Sequence, residues 1–147
     1  AIGLAAGLAR AGVRQRIVAL SGDSALLHSG IAELIDAAQA GLGLLVVVLA
    51  NRTTALSGGQ PHPASSTGAQ GIPRKPVDLA ALARTTGVEN VRVVDPLDGQ
   101  LTESAFEEGV LSERLAVVII DRECPFWLDN PTDLSPGDAL PRSRGPQ

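Results

Sequence analysis

A chain of 147 residues is long enough for one domain with a real core, and 44% hydrophobic against 19% charged residues is the balance of an ordinary globular protein. The net charge of −4, with basic residues scattered, argues against a nucleic-acid surface but leaves room for an anionic ligand bridged by a divalent cation. The lone cysteine, Cys124, excludes an intrachain disulfide framework, and the longest apolar run, 42–50, falls far short of the roughly 20 residues that span a bilayer.

Residues 1–12, AIGLAAGLARAG, read as a short helix of small residues ended by Gly12, with Gly3 and Gly7 leaving a smooth face for close packing. No strand precedes these glycines, and their spacing is not Gly-x-Gly-x-x-Gly, so a dinucleotide fingerprint is set aside. RIVALSG, 16–22, is a first strand, continuously apolar like a strand buried on both faces. Residues 29–40 form a helix with Ile31, Leu34, Ile35 and Ala38 on one stripe, and 44–51 is a second buried strand. Residues 52–76 make a long loop in which Pro61, Pro63, Pro73 and Pro76 bar regular structure, the signature of a functional lid or a disordered segment.

The alternation then resumes. VDLAALARTTG, 77–87, is a helix capped by Asp78 and ended by Gly87; 91–95 is a strand, Thr102–Leu111 a helix and 115–121 the last strand. Trp127 is expected to seal an edge or a partner interface, and the proline-rich residues 129–147 form a linker or strap behind a domain at 1–128. The chain lacks methionine and opens inside an alanine-rich helical pattern, so it reads as a piece of a longer protein; with no signal peptide visible, the setting is cytoplasmic.

Alternating strands and helices imply an α/β domain, a doubly wound, mostly parallel sheet with helices on both faces. In such sheets ligands sit beyond the carboxyl ends of the strands, near a switch in strand order. Gly22-Asp23-Ser24 and Asn51-Arg52-Thr53 both fall at those ends. Parallel neighbours lie about 4.8 Å apart, so a carboxylate and an amide oxygen can meet on one hard cation, with a backbone carbonyl from the turn after Asn51 as third donor. Octahedral Mg²⁺ would complete its shell from phosphate and water. Gly22 lets the backbone approach closely, Ser24 leaves room for a phosphate, and the amides of the following turn add positive potential.

Gly22-Asp23-Ser24 followed one crossover later by Asn51 resembles the cofactor signature of thiamine-diphosphate enzymes. The wider stretches GDSALLHSGIAELIDAA, NRTTALSGGQPHP, GVENVRVVDP and AVVIIDRECP resemble the indolepyruvate and 2-oxoacid ferredoxin oxidoreductases over roughly residues 1–126, except for the variable loop. The resemblance implies thiamine diphosphate and Mg²⁺ as cofactors. Asp23, Asn51 and the Thr53 carbonyl would be the metal ligands, with Gly22, Ser24, Thr54 and Ala55 joining them around the cofactor. It implies oxidative decarboxylation of a 2-oxoacid, with coenzyme A as acyl acceptor and ferredoxin as electron acceptor. It also implies a pyrimidine-binding domain of the same enzyme, iron–sulfur clusters elsewhere in it, and an oligomer. Ala50 departs from the family, which has a polar residue before the ligating Asn, so weaker metal binding is expected. This fragment would not turn over alone.

Other readings stand beside these. Asp23 could merely cap the turn, and Asn51 could be a plain turn residue. Arg52 suits a phosphate or substrate carboxylate, or a surface salt bridge. His28, close to the expected diphosphate, and His62, on the loop, are the candidate catalytic histidines; the first could equally be structural and the second a solvated loop residue. Thr53, Thr54, Ser57, Gly58 and Gly59 suit a phosphate-facing loop or a simple turn. Cys124 reads as a lone thiol. For the whole, the alternatives are a non-oxidative thiamine-diphosphate decarboxylase, an acetolactate-synthase-like enzyme, or a degenerate domain serving assembly.

Overall fold

The computed structural model describes residues 1–68 and 72–125. Helix α1 (Ile2–Arg10) leads into strand β1 (Val18–Gly22), and a helical run follows as α2 (Asp23–Ala25), a π-helical turn (Leu26–Gly30) and α3 (Ile31–Gln39). Next come β2 (Leu45–Ala50), a short 3₁₀ turn (Ala55–Ser57), α4 (Leu79–Thr85), β3 (Asn90–Val94), α5 (Gly99–Leu111) and β4 (Ala116–Asp121).

All strand pairs are parallel, in the order β1-β2-β4-β3. The chain runs from β1 through β2 to the far edge at β3, then steps back to insert β4. Since crossovers are right-handed, that reversal sends α5 to the face opposite α3 and α4. The packing follows. Leu34 and Ala37 of α3, Leu79 and Ala83 of α4, and Ile2, Ala5 and Ala6 of α1 cluster with Ala19, Val46, Val48, Val91 and Val117. Ala105 and Phe106 of α5 cluster with Leu45, Val47, Val94, Ala116 and Val118. Successive residues of β2 enter opposite clusters, which is why its sequence is apolar without a break. Helix α5 packs on β3 and β4 and leaves the β1 end of its face bare, where Val18, Leu20 and Leu49 are exposed.

Several boundaries differ from expectation. The helix after β1 begins at Asp23, not near residue 29, because Gly22 is extended (φ −78, ψ 157) and itself serves as the N-cap. The polar Asp-Ser pair thus forms a first helical turn rather than a loop. The π turn that follows rotates the helix phase, so α3 turns Leu34 and Ala37 inward and leaves Ile35 at 43% exposure, off the buried stripe assigned to it. Helix α5 starts at Gly99, where the Asp98 side chain accepts a hydrogen bond from the Leu101 amide at 3.0 Å.

The other caps fall where the sequence placed them. Asp78 accepts from the Ala81 amide at 2.9 Å, and Gly12 and Gly87 take left-handed φ values of +80 and +99. The smooth face of α1 is half used: Gly3 donates its amide to Glu33 Oε2 at 2.8 Å, whereas Gly7 faces open space. The winding reversal falls between β3 and β4, so the rim shared by β1 and β2 is not where the described strands switch direction. Among the described residues, no helix is long and apolar enough to cross a membrane. Trp127 and residues 129–147 lie outside the described residues.

Candidate functional site

β1 and β2 run side by side, with Gly22 opposite Leu49, so the chain emerges from both at one rim. A cleft of about 630 Å³ opens there. Its walls include Gly22, Asp23, Ser24, Asn51, Thr53, Thr54 and Ala55, together with His28 from the π turn. The two strand ends expected to share a centre therefore face one space. An apolar rim of Leu20, Leu49 and Leu56 surrounds the polar floor, with Leu56 fully exposed.

Asp23 is the anchor of that floor. It is 2% exposed, yet among the described residues no Lys or Arg pairs with it. Its Oδ1 accepts from the Ser24 amide at 2.8 Å and its Oδ2 from the Arg52 amide at 2.7 Å. The first bond is local, from the adjacent residue, and is not a helix cap; the second reaches across to the end of β2. Buried carboxylates are normally paired with a cationic side chain, whereas here the hydrogen bonds come from two neutral amides beside an open cleft. Asn51 Oδ1 accepts from the Thr53 amide at 3.3 Å, which folds the turn over the same floor.

Arg52 resolves differently from its neighbours. Its guanidinium leaves the cleft and forks onto Asp121, with Nη2 3.0 Å from both carboxylate oxygens, while Nη1 lies 3.2 Å from Glu123. The hydrogen bond to Asp121 is the main cause holding the guanidinium pKa above its ordinary value, with burial acting the other way. The salt-bridge reading is the one the geometry realises, and the phosphate reading is not. The backbone bears the cost. Arg52 sits at φ +60, the only non-glycine residue with positive φ among those described. Such a conformation costs on the order of 1–3 kcal/mol and persists only where surrounding contacts fix it.

The loop after Asn51 is more ordered than its prolines suggested. Thr54 pairs with Gln60, and Thr67 with Pro73, as isolated bridges. The Thr54 hydroxyl donates to the Gln60 carbonyl at 2.7 Å, and the Ser57 hydroxyl to the Gln60 side chain at 2.9 Å. Thr53, Thr54 and Ser57 thus build the loop while also lining the cleft.

The two histidines part company. His28 is exposed and faces the cleft. His62 is neither solvated nor on the cleft wall: it is 6% exposed and lies behind Asp23, with Nε2 3.3 Å from Asp23 Oδ2. That approach is misaligned, so Nε2 has no hydrogen-bond partner by geometry although a carboxylate oxygen is its near neighbour. Ser65 and Arg74, which pin His62, were not legible beforehand. A serine and an arginine in a loop carry no pattern that marks them. Ala50 is buried in the main core, where a small apolar side chain fits, and its carbonyl accepts from the Arg122 amide at 3.1 Å. Cys124 is a half-buried free thiol whose amide donates to the Asn51 carbonyl at 3.2 Å.

Among the described residues, no group of three or more His, Cys, Asp or Glu side chains is placed to hold a metal ion. A metal at this floor would rest on one carboxylate plus amide and carbonyl oxygens, a donor set for a hard cation.

Comparison with known proteins agrees with this geometry. The family described as "Thiamine pyrophosphate enzyme, C-terminal TPP binding domain" matches residues 1–120. Indolepyruvate oxidoreductase subunit IorA of Methanothermobacter thermautotrophicus is 37% identical over 123 residues, 84% of this chain and 20% of that protein. The subunit of the same name from Archaeoglobus fulgidus is 33% identical over 123 residues, with the same shares. The chain therefore spans about a fifth of the length of these relatives. Among solved structures, the 2-oxoglutarate:ferredoxin oxidoreductase of Magnetococcus marinus superposes with a TM-score of 0.79 at 21% identity, covering 85% of this chain and 45% of its own. The thiamine diphosphate-dependent 4-hydroxybenzoylformate decarboxylase of Rhodococcus jostii gives a TM-score of 0.59 at 21% identity, covering 82% of this chain and 23% of its own. At these identities the two structures bear on the fold alone. With the family model matching residues 1–120, this chain belongs to the family of C-terminal thiamine pyrophosphate-binding domains of thiamine pyrophosphate enzymes.

Proposed function

We propose that this chain is the diphosphate- and Mg²⁺-anchoring domain of a cytoplasmic 2-oxoacid:ferredoxin oxidoreductase of the indolepyruvate type. The observation that carries the reading is Asp23: among the described residues, a buried carboxylate with no Lys or Arg beside it, on the floor of a cleft that Asn51 and Thr53 also line. Gly22 supplies a second one. A Cβ built there meets nothing within 4 Å, and its φ of −78 suits any residue, so the protein itself gives no reason for a glycine on the cleft wall. Space kept for a closely approaching diphosphate does. These residues fit a divalent cation and a diphosphate.

In this reading Asp23, Asn51 and the Thr53 carbonyl hold the metal, while Ser24, Thr54 and Ala55 border the phosphates. His28 stands at the cleft mouth as the group of this chain open to substrate. Bound thiamine diphosphate supplies the nucleophilic ring carbon and the electron sink that decarboxylation of a 2-oxoacid requires. The exposed Leu20, Leu49 and Leu56 form an apolar border that excludes water once covered. The pyrimidine-binding domain, the iron–sulfur modules and the sites for coenzyme A and ferredoxin lie elsewhere in the full enzyme, beyond the domain at 1–128.

Calorimetry on the full-length protein tests this. Thiamine diphosphate binding is expected with Mg²⁺ and expected to vanish with a chelator; affinity unchanged by chelation overturns the metal-anchoring role. Gly22→Ala separates folding from binding. It is expected to leave the unfolding free energy within about 0.5 kcal/mol of wild type, as at any unstrained surface site. It should nonetheless weaken thiamine diphosphate binding at least about tenfold, and undiminished affinity would remove the argument from Gly22.

A further inference from the structure

The loop histidine carries an inference that rests on the reading of Asp23 as a metal ligand and goes beyond it. We infer that His62 is a positioning residue that orients the Asp23 carboxylate from behind, rather than a group that reaches substrate.

The loop holds His62 by its main chain and by one nitrogen of its ring. The His62 amide donates to Ser65 Oγ at 2.9 Å, and the Arg74 guanidinium donates to the His62 carbonyl. The Ser65 hydroxyl in turn donates to the Arg52 carbonyl, and Arg74 Nε donates to the Ser65 carbonyl at 3.3 Å. On the ring, the Ala64 amide donates to Nδ1 at 3.2 Å. An accepting Nδ1 carries no proton, so the ring proton sits on Nε2. That N–H is buried and lies 3.3 Å from Asp23 Oδ2, the acceptor within its reach. Leaving a buried donor unmatched is costly, so the ring has reason to be set against this oxygen.

Asp23 thus accepts hydrogen bonds from two segments, Ser24 on its own helix and Arg52 at the end of β2, and meets His62 Nε2 of a third, the loop, at 3.3 Å. The arrangement resembles a metal ligand oriented by a second group behind it. It is built backwards from the commoner pattern, with the histidine supporting the carboxylate. The ring is absent from the cleft wall, so it acts through Asp23 alone.

The two ring nitrogens separate this role from a merely structural one. His62→Gln places its amide N–H near the Nε2 position and retains the donor toward Asp23. His62→Asn reaches only the Nδ1 position and retains the contact with Ala64. Mn²⁺ affinity of the full-length protein in the presence of thiamine diphosphate, read by electron paramagnetic resonance, should be close to wild type in His62→Gln. It should fall about 10–100-fold in His62→Asn and His62→Ala, the span typical of groups that orient metal ligands. Any other ranking, including equal loss or equal retention in Gln and Asn, overturns the inference. Asp23→Ala serves as the reference. If it abolishes Mn²⁺ binding while the His62 variants do not follow the ranking, this inference fails alone; if it leaves binding intact, the reading of the site fails with it.

Discussion

Asp23→Ala is expected to reduce affinity for Mg²⁺ and thiamine diphosphate by more than about 100-fold in the full-length protein, since groups that merely orient a ligand already carry about 10–100-fold. The same change strips the acceptor from the Ser24 and Arg52 amides, each held within 2.8 Å, so the unliganded protein should lose stability too. Each unmatched donor costs about 1–3 kcal/mol. Asp23→Asn distinguishes the two contributions. Its amide oxygen still accepts from one of those amides, so melting should move less than in Asp23→Ala. The charge is gone, and a hard cation loses its one anionic ligand from this chain, so binding should fall nearly as far. Calorimetry and thermal melting on both variants decide the matter: an Asn variant with normal cofactor affinity would reduce Asp23 to a structural hydrogen-bond acceptor.

The second large effect is expected far from the cleft. Gly43→Ala adds one methyl group, but the Cβ would lie 2.5 Å from the Glu113 carbonyl oxygen and 3.3 Å from its carbon. Neither side yields easily. The Leu45 amide is bound to the Ile17 carbonyl and the Ala116 amide to the Leu44 carbonyl, both at 3.0 Å, which fixes the amino ends of β1, β2 and β4 together. Overpacking of this kind costs about 1–3 kcal/mol, or about 2–4 °C of melting temperature per kcal/mol in a protein of this size. Gly7→Ala is the matching control: it lies in α1, meets nothing within 4 Å, and should stabilise by roughly 0.5–1 kcal/mol. Equal melting temperatures for the two variants would refute the assigned contact.

Most of the frame could be read from the residues because parallel strands advertise themselves. Two unbroken apolar runs joined by one helix read as parallel strands, and their adjacency, a condition the sequence left open, brings Asp23 and Asn51 to one rim. Caps at Asp78, Gly12 and Gly87 followed from local chemistry in the same way. What escaped depends on contacts distant in sequence. The π turn at Leu26–Gly30 shifts the helix phase without any residue that announces it, and so Ile35 faces outward. His62 looked like a solvent-facing loop residue because the return of the loop onto Asp23 is set by Ser65 and Arg74, neither of which has a recognisable spacing. Arg52 had two plausible partners, and only the place of β4 beside β2 selects Asp121 and Glu123.

The unusual backbone of Arg52 has a mechanical consequence. Its amide faces Asp23, its carbonyl faces Ser65 and its side chain grips the end of β4, so one residue gears three segments together. Rotation of the aspartate away from its seat would have to drag that joint and loosen a fork on the neighbouring strand. The floor of the cleft is thus braced by β4, and damage at Asp121 would be felt at an oxygen it never touches.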